Sequence, residues 1–408
     1  MIIKHFNDGD IIDAKTKEEF NLNPVRDFNP YIANRTEDIG DINEGSINFV
    51  GFVTNKDNDM LVVLPKKYKS TNIRNNAQDI FEVINKHRKN NPDKYIGKLS
   101  ECKYNSNFPF SSFYKIYDYY QKYGLYIEDE VFIKANSDGK IDWKNTIKKS
   151  SKFILNGDIQ LYPIYYKKKY YFSTFLTECM IFAIDYTLFK FNVLLHLPST
   201  GKKSDVDFLK SKEKTIRQLL EIRQYTFKDT VLFLIESLIE FYSSIDIGGN
   251  YFFKHYSFCS VWEDMVMNYL NSTPIGFTDE KIIFNSSAGE ILKFEKPIFR
   301  PNIANDRDFF QPDYYYSDER VQLILDAKYY KKITGINYKQ IAYHLFLCEH
   351  KNNNTIPAHT YSALILPGET YYSKVHFKMN GTFNSTYENL IIYEEYFDIK
   401  QVIHNYLS

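Results

Sequence analysis

Two carboxylates and one amine lie close together in the run from Gln311 to Lys328. Asp313 follows a proline, and a single alanine separates Asp326 from Lys328. A phosphodiester carries a negative charge that repels hydroxide, so a divalent ion that neutralises its oxygens and activates water assists its hydrolysis. Mg²⁺ prefers oxygen ligands, and a lysine can stabilise charge that develops on the phosphate. These residues predict a metal-dependent phosphodiesterase, with nucleic acid as the leading substrate.

The spacing of these residues predicts a hairpin. The residues from Val321 to Asp326 alternate with the period of two that is typical of a strand, so Asp326 and Lys328 point the same way. The aromatic run after Asp313 suits a second strand, and a Ser-Asp-Glu turn separates the two. We expect the hairpin to bring Asp313 near Asp326. An Asp-x-Lys sequence at a strand end is also common as a solvated ion pair.

A third carboxylate, Glu263, lies upstream in a predicted helix. Apolar residues recur at helical spacing from Phe258 to Tyr269. Glu263 shares a largely apolar face of this helix, whereas Asp264 can turn to solvent. A buried carboxylate needs a partner, which a metal ion can supply. A side chain that reaches water from the edge of the apolar stripe is the alternative.

A second helix is predicted from Ile336 to Cys348, after the hairpin. On it, Gln340 either faces the hairpin or is a plain surface amide. An alternating segment from Thr360 to Leu366 then predicts another strand. The order helix, hairpin, helix, strand indicates a mixed α/β fold.

With these residues, the chain resembles the PD-(D/E)xK nuclease superfamily. Asp313, Asp326 and Lys328 match its signature, Glu263 matches the acid on its first core helix, and Gln340 matches a glutamine on the helix after the motif. The resemblance implies a restriction-endonuclease-like core in the carboxyl-terminal part. It also implies that Asp313, Asp326 and Glu263 hold Mg²⁺, for which Mn²⁺ can substitute, and that Lys328 and Gln340 take part in catalysis.

More narrowly, the chain is similar to LlaJI-family restriction endonucleases and to McrC-like nuclease subunits. The supporting residues are Val261-Trp262-Glu263-Asp264, a predicted hairpin from Ile47 to Lys66, and a Gly-x-Ile-x-Trp segment from Gly139 to Trp143. By itself, the last segment is a turn followed by an anchored aromatic residue. The resemblance implies a restriction system in antiviral defence. It also implies that an McrB-like hexameric AAA+ GTPase docks on the amino-terminal half and activates the nuclease. The chain contains no Gly-x-x-x-x-Gly-Lys-Ser/Thr phosphate loop, so a partner would supply any nucleotide hydrolysis.

Three domains are predicted in the 408 residues. Residues 1–156 form an amino-terminal mixed domain rich in strands, where the partner would dock. Residues 157–250 form a helical connecting region, and residues 251–408 form the nuclease domain. No signal-peptide pattern is visible, and charged residues interrupt the longest apolar segment, so we expect a cytoplasmic protein without a membrane partner.

The positions of clustered basic residues indicate where DNA would bind. The chain has 51 basic and 51 acidic residues, so local patches must provide any affinity for double-stranded DNA. We expect Lys331, Lys332 and Lys339, which flank the proposed site, to contact DNA. A second basic stretch runs from Lys140 to Lys169. It either binds a phosphate backbone or prevents an edge strand from pairing with another chain.

Several alternatives stay open at this stage. A standalone type II restriction endonuclease would carry the same residues, as would a noncatalytic assembly subunit on a nuclease-like scaffold. Cleavage of both DNA strands would also suit a self-dimer.

Overall fold

The computed structural model describes residues 1–29, 45–91, 104–204, 208–245, 249–277, 282–350, 356–387 and 389–408. These residues form a mixed α/β fold with several sheets, as the sequence predicts. They divide into two compact units. Unit 1 comprises Met1–Asn107 and Gly248–Ser408, and unit 2 comprises Phe108–Ile247.

A five-stranded sheet in unit 1 joins two distant parts of the chain. Its strands are β1 (Ile3–Asn7), β2 (Val50–Thr54), β3 (Met60–Leu64), β4 (Tyr104–Ser106) and β10 (Phe252–His255). They lie in the order β1-β3-β2-β10-β4. β2 and β3 are antiparallel, which confirms the hairpin predicted before residue 66. β10 pairs with β2 on one side and with β4 on the other. Segments that precede and follow unit 2 in the sequence therefore build one sheet.

The division into units differs from the three consecutive domains predicted with boundaries at residues 156 and 250. Because β10 lies between β2 and β4, the amino-terminal strands and the carboxyl-terminal part of the chain share unit 1. Residues 108–156 were expected in the amino-terminal domain but belong to unit 2. The region from residue 157 to 250 was expected to be helical, yet it begins with the strands β8 (Asp158–Tyr162) and β9 (Tyr165–Ser173).

The second five-stranded sheet of unit 1 contains the hairpin predicted to carry the site. Its strands are β13 (Tyr314–Ser317), β14 (Val321–Ala327), β15 (His359–Gly368), β16 (Tyr372–Lys378) and β17 (Ile391–Asp398). The order is β13-β14-β15-β17-β16. β13 and β14 are antiparallel, which confirms the hairpin, whereas β14, β15 and β17 run parallel to one another. Every residue of β14 before Ala327 is buried, as expected for a strand with neighbours on both sides.

Two helices that the sequence predicts pack against this sheet, α8 (Phe258–Ser272) on β14 and α9 (Tyr338–Leu347) on β14 and β15. The apolar stripe of α8 is buried, and α2 (Ile73–Asn90) and α10 (Ile399–Leu407) pack against the same helix. The remaining elements of unit 1 are α1 (Ala14–Glu19) and a two-stranded sheet of β11 (Ile275–Phe277) and β12 (Ile282–Phe284).

Unit 2 combines helices with exposed strands. Four helices pack together, namely α3 (Phe110–Tyr123), α5 (Phe175–Lys190), α6 (Lys212–Gln224) and α7 (Asp229–Ser244). The other elements are β5 (Ile127–Ala135), β6 (Lys140–Ile141), α4 (Trp143–Lys149) and β7 (Ser151–Leu155). β9 lies between β5 and β6, and β7 pairs with β8. All residues of β5 and β7 are exposed. Over the described ranges of both units, no helix is long and apolar enough to cross a membrane.

Candidate active site

The hairpin places Asp313 and Asp326 across from each other. Tyr314 pairs with Leu325, so Asp313, the residue before β13, lies opposite Asp326 on β14. The backbone N–H of Ala327 donates a hydrogen bond to Asp313 Oδ2 over 3.0 Å. Both residues are shielded from water, since Asp313 is 8% exposed and Asp326 is 1% exposed. The alternating pattern thus located these two residues correctly.

Two lysines neutralise the buried Asp326. Lys328 Nζ lies 2.5 Å from Asp326 Oδ2, and Lys339 Nζ lies 3.1 Å from Asp326 Oδ1. The first contact shows that Asp326 and Lys328 point the same way, as a strand requires. Burial lowers the pKa of Lys339, but the charge of Asp326 and the contact with Tyr343 outweigh burial and raise it. A buried carboxylate is stable only when it is paired, and here two ammonium groups share that task.

A third lysine, Lys296, bridges the other two carboxylates. Its Nζ lies 2.7 Å from Asp313 Oδ1 and 3.5 Å from Glu263 Oε2. Burial lowers the pKa of Lys296, whereas the hydrogen bond and charge of Asp313, followed by those of Glu263, raise it overall. Paired backbone hydrogen bonds between Glu295 and Tyr315 hold the neighbouring residue against β13. Lys296 could not be predicted from the sequence, because an isolated lysine outside the motif and its helices has no informative spacing.

Glu263 lies at the edge of the same group of charges. The hydroxyl of Tyr314 donates to the backbone carbonyl of Glu263 over 2.8 Å, and Trp262 Nε1 donates to the carbonyl of Ile365 over 3.3 Å. These bonds attach α8 to β13 and β15. The Glu263 side chain is 37% exposed. Burial, then the charge of Asp313, raises the pKa of Glu263, and Lys296 opposes that shift.

The surroundings of the neighbouring Asp264 side chain differ from those predicted. It was expected to turn to solvent, yet its Oδ2 lies 2.8 Å from His87 Nδ1 and accepts a hydrogen bond from Asn91 Nδ2 over 2.7 Å. Both partners come from the end of α2, which packs against α8. Asp264 therefore fastens α2 to α8. A contact between residues so far apart in sequence leaves no local pattern.

Gln340 faces the hairpin, and the alternative of a surface amide is wrong. The residue is fully buried, and its Nε2 donates to the carbonyl of Ile324 over 2.7 Å. The side chain of Asn337 caps α9 by accepting from the Gln340 backbone N–H over 2.9 Å. Among the described residues, Gln340 Oε1 has no hydrogen-bond partner although it is buried.

The lysines predicted to contact DNA have different surroundings. Lys339 pairs with Asp326, and Lys331 Nζ lies 2.8 Å from Asp10 Oδ1. Lys332 is exposed. In the second basic stretch, Lys168 pairs with Asp138, and Lys169 Nζ lies 3.0 Å from Asp129 Oδ2. Carboxylates thus hold the ammonium groups of Lys331, Lys339, Lys168 and Lys169, and the contact of these lysine clusters with DNA stays a prediction.

The donor chemistry of the site fits a hard divalent cation. Asp313, Asp326 and Glu263 offer only oxygen atoms, and Lys296 shows that the space between two of them accepts a positive charge. Within the parts of the chain that the structure describes, no three His, Cys, Asp or Glu side chains are arranged to hold a metal ion. The carboxylates are arranged around lysines instead, so a cation would have to compete with these ammonium groups.

A cavity of about 510 Å³ opens directly beside these charges. Two of the site lysines, one site carboxylate and four aromatic side chains line it, together with a glutamine and an alanine. The lining residues are Lys296, Phe309, Phe310, Gln311, Asp313, Lys339, Ala342, Tyr343 and Phe346.

No family model and no curated protein matches this chain. The function must therefore be inferred from the residues and the geometry of the site.

Proposed function

We propose that this protein is a metal-dependent DNA endonuclease of the PD-(D/E)xK type. The observation that supports this proposal is the meeting of Asp313, Asp326 and Lys328 at one end of the hairpin, with Glu263 joined to Asp313 through Lys296. Three carboxylates, two of them buried, lie together with several amines, and these are the groups that phosphodiester hydrolysis needs.

The residues have separate roles in this proposal. Asp313, Asp326 and Glu263 would hold Mg²⁺, or Mn²⁺ in its place. When bound, the ion neutralises phosphate charge and lowers the pKa of water. Lys328 is already positioned by Asp326 and would stabilise negative charge that develops on the phosphate. Gln340 binds the middle of β14 through the carbonyl of Ile324.

The order of elements also supports this type of nuclease. α8 carries one acid, the β13–β14 hairpin carries the central motif, and α9 leads into the parallel strand β15. This order is the one implied by the resemblance to the PD-(D/E)xK superfamily. It is the reason to prefer a nuclease over other metal-dependent phosphodiesterases.

Within this class, we favour an LlaJI-like or McrC-like subunit of a restriction system, activated by an McrB-like AAA+ GTPase. Unit 2 presents large exposed apolar side chains on its strands, among them Phe132, Phe153, Ile154 and Ile159. Ile154 pairs with Ile159 across β7 and β8, and exposed apolar side chains that lie together are typical of a site that binds another protein. A standalone type II enzyme, with self-dimerisation for cleavage of both strands, would not need this surface for a motor.

The test is cleavage of duplex DNA with Mg²⁺ or Mn²⁺ by the wild type, Asp326→Ala and the control Asp306→Ala. Asp306 is exposed and lies outside the group of charges. Each protein is assayed alone and with the AAA+ GTPase encoded beside it, where one exists. We expect the wild type and Asp306→Ala to cleave DNA, and Asp326→Ala to be inactive. If wild type and Asp326→Ala are equally inert under every condition, the endonuclease proposal fails.

A noncatalytic assembly subunit is the second candidate, because Glu263, Asp313 and Asp326 each pair with a lysine. These pairs could stabilise the fold without any chemistry. In that case DNA would remain intact, while the substitution of Asp326 would still lower the stability of the protein.

A further inference from the structure

The cavity beside the carboxylates has a wall of exposed aromatic rings. Phe309 is 55% exposed and Phe346 is 60% exposed, although both are large apolar side chains. Phe310 and Tyr343 lie behind them in the same lining. Aromatic rings left open to water beside a group of charges indicate a surface that binds a flat ligand.

The rings of this wall support one another. Phe310 stacks on Phe346 with ring centroids 5.5 Å apart and planes inclined by 30°. Phe310 also contacts Tyr343 at 5.5 Å and stacks on Phe299 at 5.7 Å. Phe346 is thus fixed on one side by Phe310, while more than half of its surface remains exposed.

The rim of the cavity is cationic and belongs to the candidate active site. Lys296 and Lys339 both line the cavity, and they are the lysines that bind Asp313 and Asp326. A ligand in the cavity would have its flat part against the aromatic wall and its other end at these charges. A divalent cation on the carboxylates would release both ammonium groups toward an anionic ligand.

We propose that this cavity is a stacking subsite for an unpaired DNA base next to the phosphate that is cleaved. This inference rests on the proposed nuclease function. A nucleotide unites a flat aromatic base with an anionic phosphate, and stacking on aromatic side chains is a general way to bind single-stranded nucleic acid. A volume of about 510 Å³ lies in the range of small-molecule sites. Paired bases hide their faces in the duplex, so the subsite takes a base from a single strand or a base turned out of the helix.

The test measures the binding of a short single-stranded DNA that contains the fluorescent base 2-aminopurine, in the presence of Ca²⁺. The fluorescence of this base falls when it stacks on an aromatic ring. The variants are Phe346→Ala and Phe309→Ala, with Phe346→Trp to restore a stacking surface. Phe383→Ala is the matched control, because Phe383 is 87% exposed and does not line the cavity. The substituted side chains are all at least half exposed, and thermal unfolding checks that each variant folds. A second DNA replaces the bases by abasic sites and keeps the phosphates.

We expect the two alanine variants to bind the DNA roughly fivefold to a hundredfold more weakly than the wild type, with less quenching. Phe346→Trp and Phe383→Ala should bind like the wild type, and the differences should vanish with abasic DNA. Equal binding and equal quenching by wild type, Phe346→Ala and Phe309→Ala would overturn the stacking subsite. Absence of binding by the wild type would overturn it as well. In either case the endonuclease proposal is judged separately, by the cleavage assay with Asp326→Ala.

Discussion

The ammonium of Lys296 lies 2.7 Å from Asp313 Oδ1 and at the same time contacts Glu263. Two of the three carboxylates proposed to hold a metal are therefore joined by a protein cation. The lysine offsets the repulsion between Asp313 and Glu263, which otherwise contributes to the raised pKa of Glu263. A divalent ion placed between the same oxygens would take over this role. We therefore expect Lys296 to compete with a metal ion for these ligands.

Replacing this lysine should strengthen metal binding. In Lys296→Met, no ammonium remains to occupy the oxygens of Asp313 and Glu263, so we expect Mn²⁺ to bind roughly tenfold to a hundredfold more tightly than to the wild type. Isothermal titration calorimetry without DNA measures this affinity directly.

Lys293→Met provides the control for that experiment. Lys293 is 87% exposed and contacts Glu295, which is not one of the proposed ligands. Its replacement should leave Mn²⁺ affinity unchanged. An affinity of Lys296→Met that equals the wild-type value would show that the lysine does not compete with metal.

Replacement of Lys328 should slow cleavage much more than it lowers stability. Asp326 keeps its contact with Lys339 in Lys328→Met, so the buried carboxylate is not left unpaired. The ammonium that stabilises developing charge is lost, and we expect kcat to fall by at least about a hundredfold. Single-turnover cleavage at saturating enzyme measures the effect. Lys293→Met is the matched control because Lys293 is exposed and contacts none of the proposed metal ligands, and it should retain activity. Equal rates for both variants would remove Lys328 from the mechanism.

The main effect of replacing Gln340 should be on the stability of the fold. Gln340→Met keeps much of the side-chain volume but removes the hydrogen bond to the carbonyl of Ile324, at a cost of about 0.5–1.5 kcal/mol. The loss of a buried amide oxygen that has no partner within the described residues offsets part of this cost. We therefore expect a decrease of about 1 kcal/mol in the free energy of unfolding, measured with urea. The same change at Gln401, which is exposed on α10, should have no measurable effect. A fully stable Gln340→Met would mean that the bond to Ile324 contributes nothing.

Much of the hairpin could be predicted because sequence patterns within the hairpin itself specify it. Alternation along β14 and the Asp-x-Lys spacing fix the directions of Asp326 and Lys328, and the polar turn returns the chain toward Asp313. The helical period likewise located α8 and α9. In these elements the pattern that specifies the structure lies within a short stretch of sequence.

Contacts between distant segments could not be predicted in this way. β10 pairs with β2 across about 200 residues of sequence, and no periodicity in either strand shows which partner it takes. The same holds for Lys296 and for the bond between Asp264 and His87. The sequence therefore predicts the carboxylates of the site but leaves out the lysine that joins two of them.

A buried histidine beside the site should make stability depend on pH. His344 on α9 is 7% exposed, and its Nδ1 lies 2.8 Å from Ser362 Oγ on β15. Burial lowers the pKa of His344 from 6.5 to about 4. Between pH 4 and pH 6.5, this histidine is protonated in the unfolded chain and neutral in the folded chain. The stability due to the neutral histidine is thus complete above pH 6.5 and is lost as the pH falls toward 4.

This loss amounts to about 3 kcal/mol over the full interval. We expect the unfolding free energy of the wild type to fall more steeply between pH 7 and pH 4.5 than that of His344→Asn, in which no group titrates at this position. His359→Asn is the control, because His359 is exposed, and it should follow the wild-type slope. Urea unfolding at several pH values gives the three slopes. If His344→Asn loses stability as steeply as the wild type, protonation of His344 is not the event that destabilises the sheet in acid.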